Sequence, residues 1–289
     1  RQDDVRRRRS HHPVQCHECR RRLVPKNQTD EKDHTQMKLA DRVAIITAAG
    51  KKNAMGRGIA RTLAAEGARL VLNSSTPANV EDACEEVRAA GGTAVGVAGD
   101  AGSRDVCRQM VETAMAEYGR LDILVCNAGI NAFKNFEETS EERAREVVDV
   151  NFFGTFNLCQ EALEPLKVNG GSIVVITSVH AESAYPGSSV YNFTKAGLNQ
   201  FAATLGLELA PHKIRVNALE PGWMQTPGST GGMTPEDIAN AEKNTIPWGR
   251  MGTAEDIGKA VAFLASDDAD YMTASMMRVD GGMIAATAH

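Results

Sequence analysis

A chain of 289 residues that is 42% hydrophobic can build one large α/β domain or two small ones, with a sizeable core in either case. Its formal charge of -5 gives no general reason to expect a nucleic-acid partner, and no run of about 18 apolar residues is present to cross a membrane. Six cysteines scattered through apolar or helical contexts suit a reduced, cytoplasmic compartment better than a disulfide framework.

Residues 1–36 stand apart. They hold ten Lys and Arg against six Asp and Glu, including Arg6 to Arg9 and Arg20 to Arg22, and lack apolar periodicity. They read as a flexible basic N-terminal extension, with organellar targeting left open. Cys16, His17 and Cys19, with His11 and His12 nearby, suggest zinc. The second ligand pair at fixed spacing is missing, so no metal is expected.

From residue 42 short apolar runs alternate with longer helix-period segments. Candidate strands fall at 43–47, 70–73, 94–98, 123–126, 173–177, 214–218 and 276–279. Candidate helices fall at 56–66, 78–90, 104–118, 141–167, 189–211 and 253–265, and Gly67, Gly91 and Gly119 sit where helix C-caps are wanted. Such alternation implies right-handed crossovers and a single-domain α/β fold over 37–289. It would be a Rossmann-type, doubly wound parallel sheet of about seven strands, with helices on both faces. Ligands of such sheets bind beyond the carboxyl ends of the strands, so functional residues should follow each apolar run.

Tyr191 and Lys195, in YNFTK at 191–195, are four apart and share one helix face. An ammonium there can stabilise a phenolate and make Tyr191 a general acid or base near neutral pH. Alone, this pattern arises often by chance. Ser178, however, follows the strand at 173–177, so a strand-end hydroxyl and a helix-borne phenol can meet over one substrate oxygen. Asn151 and the turn Asn127-Ala128-Gly129 add further polar groups.

From about residue 39 to 283 the chain resembles the short-chain dehydrogenase/reductase family, in its main branch that includes 3-oxoacyl-carrier-protein reductases and glucose dehydrogenases. The resemblance rests on CNAG at 126–129, Asn151, Ser178, YNFTK, IRVNALEPG at 214–222, GRMGTAEDIGKAVAFLAS at 249–266 and VDGG at 279–282, all in the family's order. It implies hydride transfer between a nicotinamide and a carbonyl or secondary alcohol carbon. Tyr191 would exchange the proton, Lys195 would lower its pKa and bind the nicotinamide ribose, Ser178 would hold the substrate oxygen, and Asn151 would support a water next to Lys195. Asp100 and Ala101 would meet the adenine, while Asn127, Ala128 and Gly129 would let backbone approach the cofactor. Pro221, Gly222 and Thr226 would contact the carboxamide. Glu220 departs from the family's smaller or neutral residue and would face either the pocket or solvent.

The stretch TAAGKKNAMGRGIA at 47–60 fits the family's glycine loop with two extra residues. Aligned on the following helix, Gly56 takes the last glycine and Ala54 replaces the middle one. Ala48 or Gly50 stands near the first, and Asn53 and Met55 complete the loop. Asn73, Ser74 and Ser75 end the second strand, where an acidic residue would select NAD. None is present, and Lys51, Lys52 or Arg57 could accept a phosphate. NADP is therefore favoured, with NAD possible.

Substrate is harder to read. His180 and Glu182 follow the serine and could bond a polyol, and SVH at 178–180 is similar to glucose-dehydrogenase-like members. Trp223 opens a stretch, 223–247, expected to form a mobile lid over the substrate. The family's usual interfaces would make the protein a homotetramer or homodimer. A sugar or polyol dehydrogenase is one alternative. The longer loop suggests a C=C-reducing enoyl reductase, but that branch spaces its tyrosine and lysine more widely and lacks the serine. A non-catalytic nucleotide-sensing regulator is a third reading, set against the four tetrad residues all being present.

Overall fold

The computed structural model describes residues 37–287, so the basic extension and its Cys16 and Cys19 lie outside the described residues. Seven parallel strands form one sheet: β1 (Val43–Ile46), β2 (Arg69–Ser74), β3 (Thr93–Ala98), β4 (Ile123–Cys126), β5 (Gly171–Ile176), β6 (Ile214–Pro221) and β7 (Met276–Val279). Their order is β3-β2-β1-β4-β5-β6-β7. The chain thus winds outward from β1 in one direction and then in the other, opening a crevice beyond the carboxyl ends of the paired neighbours β1 and β4, where the connections part.

Strands buried on both faces must be apolar throughout, and β1 and β4 are. Alternation then divides their side chains. Ala44 and Ile46 pack with α1 (Met55–Ala65), α2 (Pro77–Ala89) and α9 (Ala254–Ala265) on one face. Val43 and Ile45 pack with α3 (Arg104–Tyr118), α5 (Gly154–Asn169) and α6 (Ser189–Leu209) on the other. Each fully buried Val, Leu or Ile contributes roughly 1.5–3 kcal/mol, so the two layers hold the strand ends in fixed positions. Asp122, 1% exposed, accepts from the Val43 amide at 2.8 Å and from the Arg120 guanidinium at 2.6 and 2.9 Å, tying β1 to β4 at the opposite end.

Helices α1 and α9 cross closely because glycines face each other's helix. A Cβ at Gly58 would lie 2.3 Å from the Ala254 Cβ, and one at Gly258 would lie 2.3 Å from the Thr62 hydroxyl.

One element differs from the sequence expectation. The helix expected over 141–167 is three pieces: α4 (Glu141–Val148), a π-helical turn (Asp149–Phe153), and α5. The wider turn carries Asn151, which is fully buried. The stretch 223–247, expected as a mobile lid, contains α7 (Pro227–Thr230) and α8 (Pro235–Thr245). The latter starts with a reciprocal capping box between Thr234 and Asp237. A last helix, α10 (Met283–Thr287), follows β7. Among the described residues no helix is long and apolar enough to cross a membrane.

Candidate active site

Tyr191, Lys195 and Asn199 follow one another at four-residue spacing along α6, and Lys195 and Asn199 are buried. The Lys195 ammonium donates to the Ile176 carbonyl at the end of β5, at 2.8 Å, and lies 5.6 Å from the centre of the Tyr191 ring. Burial with no anionic partner pushes its pKa down to about 8. Burial also raises the Tyr191 phenol, while interaction with the Ser178 hydroxyl pulls it partway back. The lowering expected from Lys195 is therefore not the net result in these surroundings: the phenol is held protonated, and the nearest polar influence is Ser178.

Ser178 caps the short helical turn after β5 and accepts from the His180 amide at 3.2 Å. Asn151 accepts from the Ile130 amide at 2.8 Å and donates to the Ile130 carbonyl and the Thr194 hydroxyl, both at 3.0 Å. The π-turn thus clamps the loop after β4 to α6. A Cβ on Gly129 would lie 3.4 Å from the Lys195 nitrogen and 3.5 Å from the Asn151 oxygen, so only a small residue leaves this point open. All four residues of the expected tetrad surround one end of the sheet.

The loop after β1 is held from within. The buried Thr47 hydroxyl accepts from the Asn127 and Ala128 amides at 2.9 and 2.8 Å, and Asn127 returns a bond to the Thr47 carbonyl at 2.9 Å. Thr47 is a positioning residue that no spacing rule marked. Ala48 has φ of 52° and Asn53 has φ of 57°, left-handed conformations that cost an L-residue energy. Ala48 thereby occupies the kind of backbone position a glycine fills without strain.

Several residues expected at the cofactor have partners within the protein. Asn73 is 1% exposed and its amide donates to the Val97 and Gly99 carbonyls and accepts from the Ala48 amide, so it braces the loop. Gly50 lies over Ser74, where a Cβ would come within 2.5 Å of its hydroxyl. Arg57, expected as a phosphate-binding cation, is buried and paired with Asp82 and Glu86 of α2. Lys52 also pairs with Asp82, at 3.1 Å. Ser75 and Lys51 remain exposed at this corner.

The donor set nonetheless fits a dinucleotide. Helix α1 starts without a capping side chain or an acidic first-turn residue. The Met55 and Gly56 amides have no protein acceptor among the described residues, the arrangement that favours a phosphate. The Asn127 Oδ1, beside them, is a buried acceptor that the protein does not satisfy. Asn53 and Thr226 line a common cavity of about 370 Å³, which brings the loop after β1 to the start of α7. Asp100 is exposed and accepts from the Gly102 amide at 2.9 Å, while Ala101 is buried beside it. Pro221 ends β6, and the Gly222 amide just after it donates to the Val279 carbonyl at 3.0 Å.

The substrate-side residues separate. His180 lies beside Tyr191, with ring centres 5.3 Å apart. Glu182 is paired with Arg278, whose Nε also bonds the buried Glu220 at 3.2 Å; Glu220 accepts from Asn199 at 2.6 Å. Glu220 therefore faces neither pocket nor solvent. Trp223 lines a cavity of about 270 Å³ with Trp248, Lys259 and Asp280.

A family model described as enoyl-(acyl carrier protein) reductase matches residues 49–284. An uncharacterised oxidoreductase of Methylorubrum extorquens is 40% identical over 248 residues, covering 85% of this chain and 99% of the relative. The 3beta-hydroxysteroid dehydrogenase 1 of Eggerthella lenta is 36% identical over 250 residues, covering 85% and 94%. A crystal structure from Sinorhizobium meliloti 1021, described as a candidate short-chain alcohol dehydrogenase, superposes with a TM-score of 0.81 at 32% identity, covering 86% of this chain and 99% of that one. With a seven-stranded parallel sheet of matching architecture, the chain belongs to the short-chain dehydrogenase/reductase family of oxidoreductases, whose members typically use nicotinamide cofactors.

Proposed function

We propose that this protein interconverts a ketone or aldehyde and the corresponding alcohol at the expense of a nicotinamide cofactor, with Tyr191 exchanging the proton. The observation that carries this reading is the meeting of Tyr191 and Ser178, one from a helix and one from a strand end, with Lys195 behind them on the Ile176 carbonyl. A bound nicotinamide supplies or accepts the hydride. In the reductive direction the Ser178 hydroxyl donates to the substrate oxygen, which gains negative charge as the carbon–hydrogen bond forms. The Tyr191 hydroxyl, kept protonated by burial, delivers its proton to that oxygen. Lys195 then faces a phenolate, which its ammonium stabilises, and the proton is restored from solvent past Asn151. Oxidation runs the same steps backward. The four-residue spacing of Tyr191 and Lys195 and the presence of Ser178 favour C=O over C=C chemistry.

The absence of an acidic residue at 73–75, together with exposed Ser75 and Lys51, supports NADP over NAD. The phosphate contact would fall on these two, since Arg57 and Lys52 are engaged by Asp82. Four described cysteines are free and buried, consistent with a reduced cytoplasm. Exposed Phe153, Phe193 and Leu207 on the π-turn and α6 suit a homodimer or homotetramer, checked by light scattering. A panel of ketones, aldehydes and secondary alcohols, each with NADPH and NADH or their oxidised forms, tests the whole reading. Turnover of a carbonyl with NADPH preferred is expected. No turnover of any carbonyl or alcohol would overturn the activity, and a strong NADH preference would overturn the cofactor assignment.

A further inference from the structure

The substrate side of Tyr191 is a wall of rings from three segments. Phe133, 56% exposed on the loop after β4, lies 5.9 Å from the Tyr191 ring. His180 stands nearly perpendicular to Tyr191, at 82° and 5.3 Å, and Tyr185 stacks on His180 at 4.1 Å and 27°. Such a wall gains most from a flat-sided, cyclic carbon skeleton, whose C–H faces can lie against aromatic faces.

Two hydrogen bonds fix the polarity of His180 within this wall. The Ser183 carbonyl can only accept, so Asn192 turns its Nδ2 toward it, at 3.1 Å. That rotation aims Oδ1 of Asn192 at Nδ1 of His180, 2.8 Å away, and Oδ1 can only accept. Nδ1 must therefore carry the hydrogen, and in the neutral imidazole Nε2 is a bare lone pair. Nε2 has no hydrogen-bond partner among the described residues, and the His180 residue is only partly buried. Burial holds the ring below its ordinary pKa, which favours the neutral form. Glu182, the other polar group of this loop, is occupied by Arg278.

We propose that Asn192 and His180 form a tautomer-locked specificity pair, in which Nε2 accepts from a second hydroxyl close to the reacting carbon of a cyclic substrate. The preferred substrates are then ring-borne α-hydroxy ketones and, in the oxidative direction, cyclic vicinal diols. The proposal rests on the reading of Tyr191 as the proton-exchanging group, since it places the second hydroxyl relative to the first. Asn192 does not touch the substrate; it acts by setting which nitrogen of His180 is bare.

The test compares kcat/KM for 2-hydroxycyclohexanone and cyclohexanone, with both cofactors, in the wild type, His180→Leu and His180→Gln. Proton–nitrogen correlation spectra of the imidazoles in the wild type and Asn192→Leu accompany it. The wild type should favour the hydroxy ketone roughly tenfold or more. His180→Leu should bring that ratio close to one, and His180→Gln, which keeps an acceptor, should retain part of it. The spectra should show His180 protonated at Nδ1 in the wild type and shifted toward Nε2 protonation in Asn192→Leu. A wild-type ratio near one, a ratio unchanged by His180→Leu, or an Nε2-protonated His180 in the wild type would overturn the proposal while leaving the carbonyl activity standing. No turnover of either ketone or of any other carbonyl would overturn the proton-exchange reading, and the proposal with it.

Discussion

Replacing Lys195 with methionine should stabilise the nucleotide-free protein even as it removes activity. Burial lowers the Lys195 pKa from 10.5 to about 8. At roughly 1.4 kcal/mol per unit, keeping the ammonium charged inside the fold costs about 3 kcal/mol near neutral pH. Methionine spans a similar length without charge, so that cost disappears. Against this, the variant loses the 2.8 Å bond to the Ile176 carbonyl, worth about 1 kcal/mol. The net expectation is a gain of about 2 kcal/mol. The pH dependence has a definite sign. The folded-state pKa lies below the unfolded one, so between about 8 and 10.5 the unfolded chain binds more protons and wild-type stability rises with pH. The advantage of Lys195→Met should therefore be full below about pH 8 and shrink toward pH 10.5. Urea unfolding without nucleotide, at several pH values, measures this directly. A variant less stable than the wild type near neutrality, or an advantage that does not change with pH, would refute the reasoning.

Other substitutions probe the frame around the site. Ala48→Gly should stabilise by roughly 1 kcal/mol, because it relieves a residue at φ of 52°; thermal unfolding would show it. Gly58→Ala should destabilise by about 1–3 kcal/mol, since its Cβ would fall 2.3 Å from that of Ala254, and unfolding midpoints would fall accordingly. Arg278→Met should cost about 2 kcal/mol in the same assay. It strips the buried Glu220 of its cation and frees Glu182, which should also make the loop after Ser178 easier to cleave in limited proteolysis.

The strands and the clustering of Asn151, Ser178, Tyr191 and Lys195 were legible because their signals are local and repeated. Apolar runs such as 43–46 and 123–126 are buried on both faces, so no polar residue interrupts them. Tyr191 and Lys195 sit at helix spacing, and Ser178 follows a strand end, where α/β sheets gather ligand contacts. The π-turn was not legible: an apolar pattern read as one helix over 141–167 does not mark the single turn that widens around the buried Asn151. Nor was the fate of Glu182 and Glu220, since their cation, Arg278, is brought to them by the pairing of β6 with β7. Arg57 shows the same limit. It looked like a loop cation, but its place in the first turns of α1 turns it onto Asp82 and Glu86 of α2. The role of Asn192 depends on which carbonyl faces its amide, and no spacing rule carries that information.

The central claim is that Tyr191 exchanges the proton with the substrate oxygen. Tyr191→Phe removes only the hydroxyl, and its turnover and nucleotide affinity can be measured on the same preparation. The account predicts kcat lower by about two to four orders of magnitude, with nucleotide affinity, read by fluorescence quenching, kept within a few-fold. Turnover close to wild type in Tyr191→Phe would contradict it.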